Sequence, residues 1–260
     1  MGDLEGKVAL VTGGAGGLGE AIVRTMAEAG AALVLTDIAD ERGRAIAADI
    51  AASGGRARYE SCDIRNFESV RRTVAAAAGH FGGIDILVNT AGVSPRSAPI
   101  TEVTEKEWLD LMDVNVNAVF RFCSATLPHI VARGGGSVIN LSSVHHAQSF
   151  PNASAYAASK GAVVSLSRQL AVEWGPANVR VNTVSPGAID SGMTRRTLAE
   201  DPSGKLAIAY GRLHALERMG RPIEVAKTVT FLASDGAGFI TGEDILVDGG
   251  WTKTSRWVEA

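Results

Sequence analysis

Tyr156 and Lys160 stand four residues apart in Tyr156-Ala157-Ala158-Ser159-Lys160, and Ser142 and Ser143 close an apolar run upstream of them. On a helix, positions i and i+4 share a face, so the ammonium can sit beside the phenol. A free tyrosine has a pKa of about 10 and is a poor base at neutral pH. A fixed cation nearby favours the phenolate and pulls that pKa down. A general acid or base works best with a pKa near the operating pH, so this pair suits proton exchange with an alcohol or a ketone. The same spacing also occurs on ordinary amphipathic helices, so its chemistry depends on what surrounds it.

The elements around the pair alternate. Val8–Val11 reads as a strand, followed by a glycine turn and an Ala-rich helix ending near Gly30; Ala32–Thr36 is a second strand and Glu41–Ala52 a second helix. A third strand fits Arg58–Glu60 and a third helix Ser69–Phe81. Ile84–Val88 and Ser137–Leu141 read as buried strands with one helix, Glu105–Ala132, between them. The Tyr156 helix runs from Ala153 to Trp174, and Val179–Val184 and Ile245–Val247 are the last strands. Alternating strand and helix predicts an α/β fold, a doubly wound, Rossmann-like parallel sheet of about seven strands with helices on both faces. Residues 1–260 read as one domain. The segment 190–221 breaks the rhythm, punctuated by Gly192, Pro202, Gly204, Gly211 and Gly220, and reads either as a lid over a ligand site or as a solvated excursion.

Thr12-Gly13-Gly14-Ala15-Gly16-Gly17-Leu18-Gly19 follows the first strand and opens the first helix. Glycines allow a tight turn and a close backbone approach. The N–H groups at the helix start favour a pyrophosphate. Asp37 ends the second strand, 18 residues beyond Gly19. A carboxylate there accepts hydrogen bonds from ribose hydroxyls and repels a 2′-phosphate. No Arg or Lys lies between Gly13 and Gly19, and Arg42 and Arg44 fall on the next helix. NAD(H) is therefore expected, with NADP(H) the second choice. The plain alternative for Asp37 is a helix N-cap.

Composition narrows the class. Of 260 residues, 46% are hydrophobic and 20% charged, as in ordinary soluble proteins. A formal charge of −3 speaks against nucleic acid or an anionic membrane as the main partner. Cys62 and Cys123 are too few for a disulfide framework or a zinc site, and no metal site is expected. No apolar run approaches a membrane span or the core of a signal peptide, and the expectation is a cytoplasmic protein.

With these residues placed, the chain resembles the short-chain dehydrogenase/reductase family over nearly its whole length. Gly13, Gly17 and Gly19 match the family's cofactor turn, and Leu18 lies inside it. Cys62-Asp63-Ile64 resembles the segment that holds the adenine, with Asp63 and Ile64 as contacts and Ile38 beside Asp37. Asn89-Thr90-Ala91-Gly92 resembles the family's Asn-Asn-Ala-Gly, departing at Thr90 but keeping Asn89, Ala91 and Gly92. Pro186-Gly187-Ala188-Ile189 matches the turn that meets the nicotinamide, with Ile189 offering backbone to the carboxamide. Ser191 stands where Thr is usual.

The resemblance implies four catalytic residues: Asn115, Ser143, Tyr156 and Lys160. Ser143 rather than Ser142 is implied, since the family's serine precedes the tyrosine by thirteen residues; Asn117 is off-register for the asparagine. In the implied oxidation, Tyr156 takes the alcohol proton while hydride leaves carbon for the nicotinamide. Lys160 lowers the phenol pKa and holds the ribose, Ser143 hydrogen-bonds the substrate oxygen, and Asn115 anchors a relay water. The resemblance further implies a homotetramer built on the helices beginning near Glu105 and Ala153. Segments after Gly92, Ser143 and Gly187 and the lid supply pocket candidates: Ser94, His145, Gln148, Met193 and Arg195, with Arg96, His146, Arg196, Tyr210 and His214 behind them. Their polarity leans toward a small polyol, sugar or hydroxy acid. Two other functions fit less well: an NADPH-dependent carbonyl reductase, and a non-catalytic dinucleotide sensor on the same scaffold. Trp251 and Trp257 in the last ten residues predict a tail that packs.

Overall fold

In the computed structural model, residues 3–199 and 201–254 are described. Trp257 and the end of the tail lie outside them. One seven-stranded sheet runs β3-β2-β1-β4-β5-β6-β7, with every pairing parallel. Its strands are β1 (Val8–Thr12), β2 (Ala32–Asp37), β3 (Arg56–Ser61), β4 (Ile86–Asn89), β5 (Gly136–Leu141), β6 (Val179–Pro186) and β7 (Asp244–Val247).

The continuous apolar runs follow from burial on both faces. Along each strand successive side chains alternate sides. Ala9, Val11, Leu33, Leu35, Ile86, Val88 and Ile139 join one core with Ile22, Val23 and Met26 of α1 (Gly17–Glu28), Ile46 and Ile50 of α2 (Asp40–Ala52), and Val225 and Val229 of α9 (Pro222–Ala233). Leu10, Val34, Leu87 and Val138 point the other way. They meet α3 (Phe67–Phe81), α5 (Ala118–Ala132) and α6 (Ser154–Trp174). The doubly wound sheet expected from the alternation is the observed one.

The expected single helix over Glu105–Ala132 is interrupted. It divides into α4 (Glu105–Met112) and α5, joined by a wider π-type turn at Asp113–Asn117. That extra residue in the turn re-aims the side chains around it. Asn115 goes inward, 1% exposed, and Asn117 stays outside, bonding Asp113. The segment 190–221 is also more ordered than its composition suggests, carrying α7 (Gly192–Ala199) and α8 (Lys205–Arg212). Among the described residues no helix is long and apolar enough to cross a membrane.

After β3 the chain returns to pair β4 on the free side of β1, so the winding direction reverses between β1 and β4. The loops leaving the carboxyl ends of those strands must part there, which opens a crevice. The register places Thr12 beside Asn89 and Asn89 beside Asn140, so the segments that follow all start from one edge.

Candidate active site

A cavity of about 650 Å³ occupies that crevice. Gly13, Gly17, Leu18 and Gly19 line one end with Asp37, Ile38, Asp63 and Ile64; Ser143, Tyr156 and Lys160 line the other. Ala91, Gly92, Pro186, Gly187, Ile189 and Ser191 lie between them. Met193, Thr194 and Arg196 of α7 form a wall.

The glycines serve different purposes. Gly13 has φ +65°, and a Cβ there would strike the Ala91 backbone at 2.8 Å. A Cβ on Gly19 would overlap the Gly13 carbonyl. The fold alone requires both. Gly17 is different: a Cβ there meets only the Gly192 nitrogen, at 3.3 Å, so its bareness keeps the cleft open. α1 begins beside it with no side-chain cap, leaving first-turn N–H groups to an incoming anion. A bare glycine and uncapped donors facing a cavity fit a dinucleotide pyrophosphate.

Asp37 is not the cap of α2, whose N-cap residue is Ala39. Its Oδ1 accepts from the N–H groups of Ile38 and Ala39, and its Oδ2 from Ala15, which holds the carboxylate at the cavity edge. Arg42 is paired with Glu20 at 2.8 Å and Arg44 with Asp40, so neither lies free beside Asp37.

At the other end, α6 brings Tyr156 and Lys160 to one face. Lys160 is buried, donates from Nζ to the Leu141 carbonyl at 3.0 Å, and stands 5.7 Å from the Tyr156 ring centre. The two serines separate by partner. Ser142 donates to the Lys160 carbonyl at 3.0 Å, an anchor for α6. Ser143 faces the Tyr156 phenol. Asn115 clamps Val93, accepting from its N–H at 2.9 Å and donating to its carbonyl at 3.0 Å, and also donates to Ser159. Its Oδ1 and the Lys160 Nζ both approach Gly92.

The electrostatics differ from the simple expectation for the pair. Burial pushes the Tyr156 phenol above its ordinary value, opposed only by the hydrogen bond with Ser143. Burial likewise lowers Lys160 to about 8. Desolvation is the larger effect on both groups, and it disfavours the charged form of each.

Several sequence candidates sit elsewhere. Asn89 does not reach the cavity; its amide donates to Asn140 at 2.8 Å beneath the sheet edge, a supporting role. Arg195 forms a two-pronged pair with Asp190 and is exposed, and Arg96 pairs with Glu107. Each carboxylate draws its arginine away from the cleft. Ser94 is exposed, and Gln148 has a buried Oε1 without a partner, outside the cavity lining. His145 packs edge-on against Tyr156 at 5.2 Å, whereas His146 is bound to Asp244 at 2.8 Å. Tyr210 lies outside the lining, and His214 sits behind the Gly187 turn rather than in the pocket.

Other residues carried no local signal. Thr90, the departure from the expected motif, bonds the end of β1 through the Thr12 carbonyl and hydroxyl. Val93, Val114 and Arg65 line the cleft without any motif to announce them.

Fold and cleft together define a nucleotide-binding oxidoreductase with a buried tyrosine and lysine. Residues 13–252 match a family model described as "Enoyl-(Acyl carrier protein) reductase". The chain is 39% identical to the D-threitol dehydrogenase of Mycolicibacterium smegmatis, covering 96% of this chain and 94% of that one. It is 36% identical to the 2,5-dichloro-2,5-cyclohexadiene-1,4-diol dehydrogenase of Sphingobium indicum, covering 97% and 99%. A solved short-chain type dehydrogenase/reductase from Mycobacterium ulcerans superposes with a TM-score of 0.89 at 31% identity, covering 96% and 90%. The chain belongs to the short-chain dehydrogenase/reductase family. It is an oxidoreductase acting on alcohol or carbonyl carbon, and its family uses nicotinamide cofactors.

Lys160 yields a prediction for the cofactor-free protein. Burial brings its folded pKa down to about 8, well below the ordinary lysine value, so between those values the unfolded chain binds more protons than the native one. Stability should therefore gain from this group as pH rises through that window. Compared with Lys160→Met by urea unfolding, the wild type should improve relative to the variant between about pH 8 and about pH 10. A difference that stays flat across that range would refute the buried, depressed ammonium.

Proposed function

We propose that the chain is an NAD-dependent dehydrogenase of a small polar secondary alcohol, of the diol or polyol kind. The observation that carries this is one cleft with Asp37 beside the glycine turn at one end and Ser143, Tyr156 and Lys160 at the other. The relatives named for threitol and for a cyclohexadiene diol support the substrate class. Asp37, with Arg42 and Arg44 paired to Glu20 and Asp40, supports NAD(H) over NADP(H).

In this reading the glycine turn and the start of α1 would hold the pyrophosphate, Asp37 the adenosine ribose, and Lys160 the nicotinamide ribose. The Ile189 N–H would be the donor for the carboxamide. The bound oxidised cofactor supplies a hydride acceptor and a positive ring. Tyr156 takes the hydroxyl proton of the substrate as its carbon gives up hydride. Ser143 donates to the substrate oxygen, where charge develops. The phenolate of Tyr156 that accepts this proton forms only against the cost of burial, so Lys160 must stay charged beside it during the transfer. Asn115 holds Val93 and the turn around Gly92 in place, and it anchors the relay water beside Lys160.

Tyr156→Phe should abolish turnover of a diol panel read by NADH absorbance while leaving NADH affinity nearly unchanged. Substantial residual activity in that variant would sink the proton-transfer role.

Asp37→Ala should erode the preference for NAD⁺ over NADP⁺, read as the ratio of kcat/KM values. An unchanged ratio would remove Asp37 from ribose recognition.

The same reading includes assembly as a homotetramer, with apolar side chains left exposed on the two helices the resemblance assigns to it: Phe120 on α5 and Val172 on α6. Sedimentation equilibrium should give a mass four times that of the 27.0 kDa chain. The double variant Phe120→Asp/Val172→Asp should give smaller species. A wild-type monomer, or a tetramer surviving the double change, counts against it.

A further inference from the structure

The turn that faces the nicotinamide end of the cleft has most of its backbone donors already engaged. Gly187 N–H donates to the Val247 carbonyl at 3.1 Å and Asp190 N–H to the Gly220 carbonyl at 2.8 Å. Ala188 N–H donates to Nε2 of His214 at 3.1 Å. Ile189 lines the cavity, and its N–H has no acceptor among the described residues. One side chain therefore decides which donors of the turn remain free.

His214 is suited to that task. It is 2% exposed. Its Nδ1 lies 2.9 Å from the Tyr210 carbonyl, which can only accept, so Nδ1 carries the hydrogen and Nε2 is the bare nitrogen. That tautomer is the one that can take the Ala188 N–H. The ring also fills the space left by a missing side chain, since a Cβ on Gly187 would lie 2.8 Å from Nε2. Trp251 holds the ring from another side, edge to face at 5.1 Å. Through Tyr210 the same imidazole ties the turn to α8.

We propose that His214 is a positioning residue for the nicotinamide: by occupying Ala188 N–H it leaves Ile189 N–H as the turn's free donor and fixes the register in which a carboxamide docks. His214 touches no reacting atom. Removing its acceptor frees a second donor one residue away and lets the turn shift against Val247. The inference rests on the cofactor assignment above and extends it to a residue outside the cleft.

The test compares two ligands that differ only at C1 of the second ribose. NADH carries the dihydronicotinamide there; ADP-ribose carries a hydroxyl. With the full chain, His214→Leu should raise the Kd for NADH about ten-fold, the scale of one lost buried hydrogen bond, and leave that for ADP-ribose unchanged. Equal weakening of both ligands, or no weakening of NADH, overturns the proposal. Should His214→Leu not fold, as judged by thermal melting, His214→Gln and His214→Asn decide. The Gln side-chain oxygen reaches the place of Nε2 and should keep NADH affinity near that of the wild type; Asn falls short and should lose it. Identical NADH affinities for those two variants overturn the proposal as well. A wild type that binds neither NADH nor ADP-ribose overturns the cofactor assignment itself, a result distinct from the others.

Discussion

Asn89, Asn140 and Ser167 form a buried chain of hydrogen bonds on which the geometry of the cleft depends. Asn89 donates to Asn140, and Asn140 donates to Ser167 of α6, both at 2.8 Å. Ser167 passes its own hydrogen to the Val163 carbonyl in the same helix. Two central strands and the helix carrying Tyr156 and Lys160 are thereby pinned to each other in one register. A buried polar network of this kind is costly unless every member is satisfied, which makes any other alignment of these elements expensive. In a parallel sheet, a slip of one residue would also turn each side chain to the opposite face. Thr90 and Ser142 extend the same logic, one tying β4 to β1 and the other tying β5 to α6.

Placing the reactive pair so deeply has an electrostatic consequence. Lys160 is closed in and donates to Leu141, and burial alone brings its pKa down to about 8. Tyr156 moves in the opposite direction for the same reason. Desolvation disfavours the charged form of each, whichever sign that charge has. The same burial works toward a neutral phenol at Tyr156 and a neutral amine at Lys160.

Much of this was legible in the chain because it is local. The strands announced themselves as apolar runs, and the alternation of the two cores is written residue by residue along β1, β2 and β4. The glycine turn, Asp37 and the Tyr156–Lys160 spacing are short-range patterns, and the structure places all of them on one cavity. Ser142 and Ser143, adjacent in sequence, take different partners, Ser142 the Lys160 carbonyl and Ser143 the Tyr156 phenol; only the resemblance, not the local pattern, separates them. What the chain hid is long-range pairing. Nothing near Asn89 signals that its partner is Asn140, and nothing near Arg195 weighs the nearby Asp190 against a substrate. The π-type turn at Asp113–Asn117 is equally silent, and the partner its Asn115 takes, Val93, lies 22 positions away.

Aromatic packing joins the two ends of the mechanism in a way no motif suggests. Tyr156 meets His145 edge-on at 5.2 Å, His145 meets Phe150 at 4.6 Å, Phe150 meets Trp251 at 5.0 Å, and Trp251 meets His214 at 5.1 Å. Rings packed this way gain from edge-to-face contact and have few rotamers to choose from, so the series behaves as a stiff arc. One end is Tyr156. The other, His214, accepts the Ala188 N–H of the turn after β6. The distance between phenol and turn is therefore set twice, once through the sheet and once around its rim. Trp251, 6% exposed and just past the last strand, is the keystone of the outer route. It packs on Phe150 to one side and His214 to the other, so the arc between Tyr156 and the Gly187 turn is continuous through it.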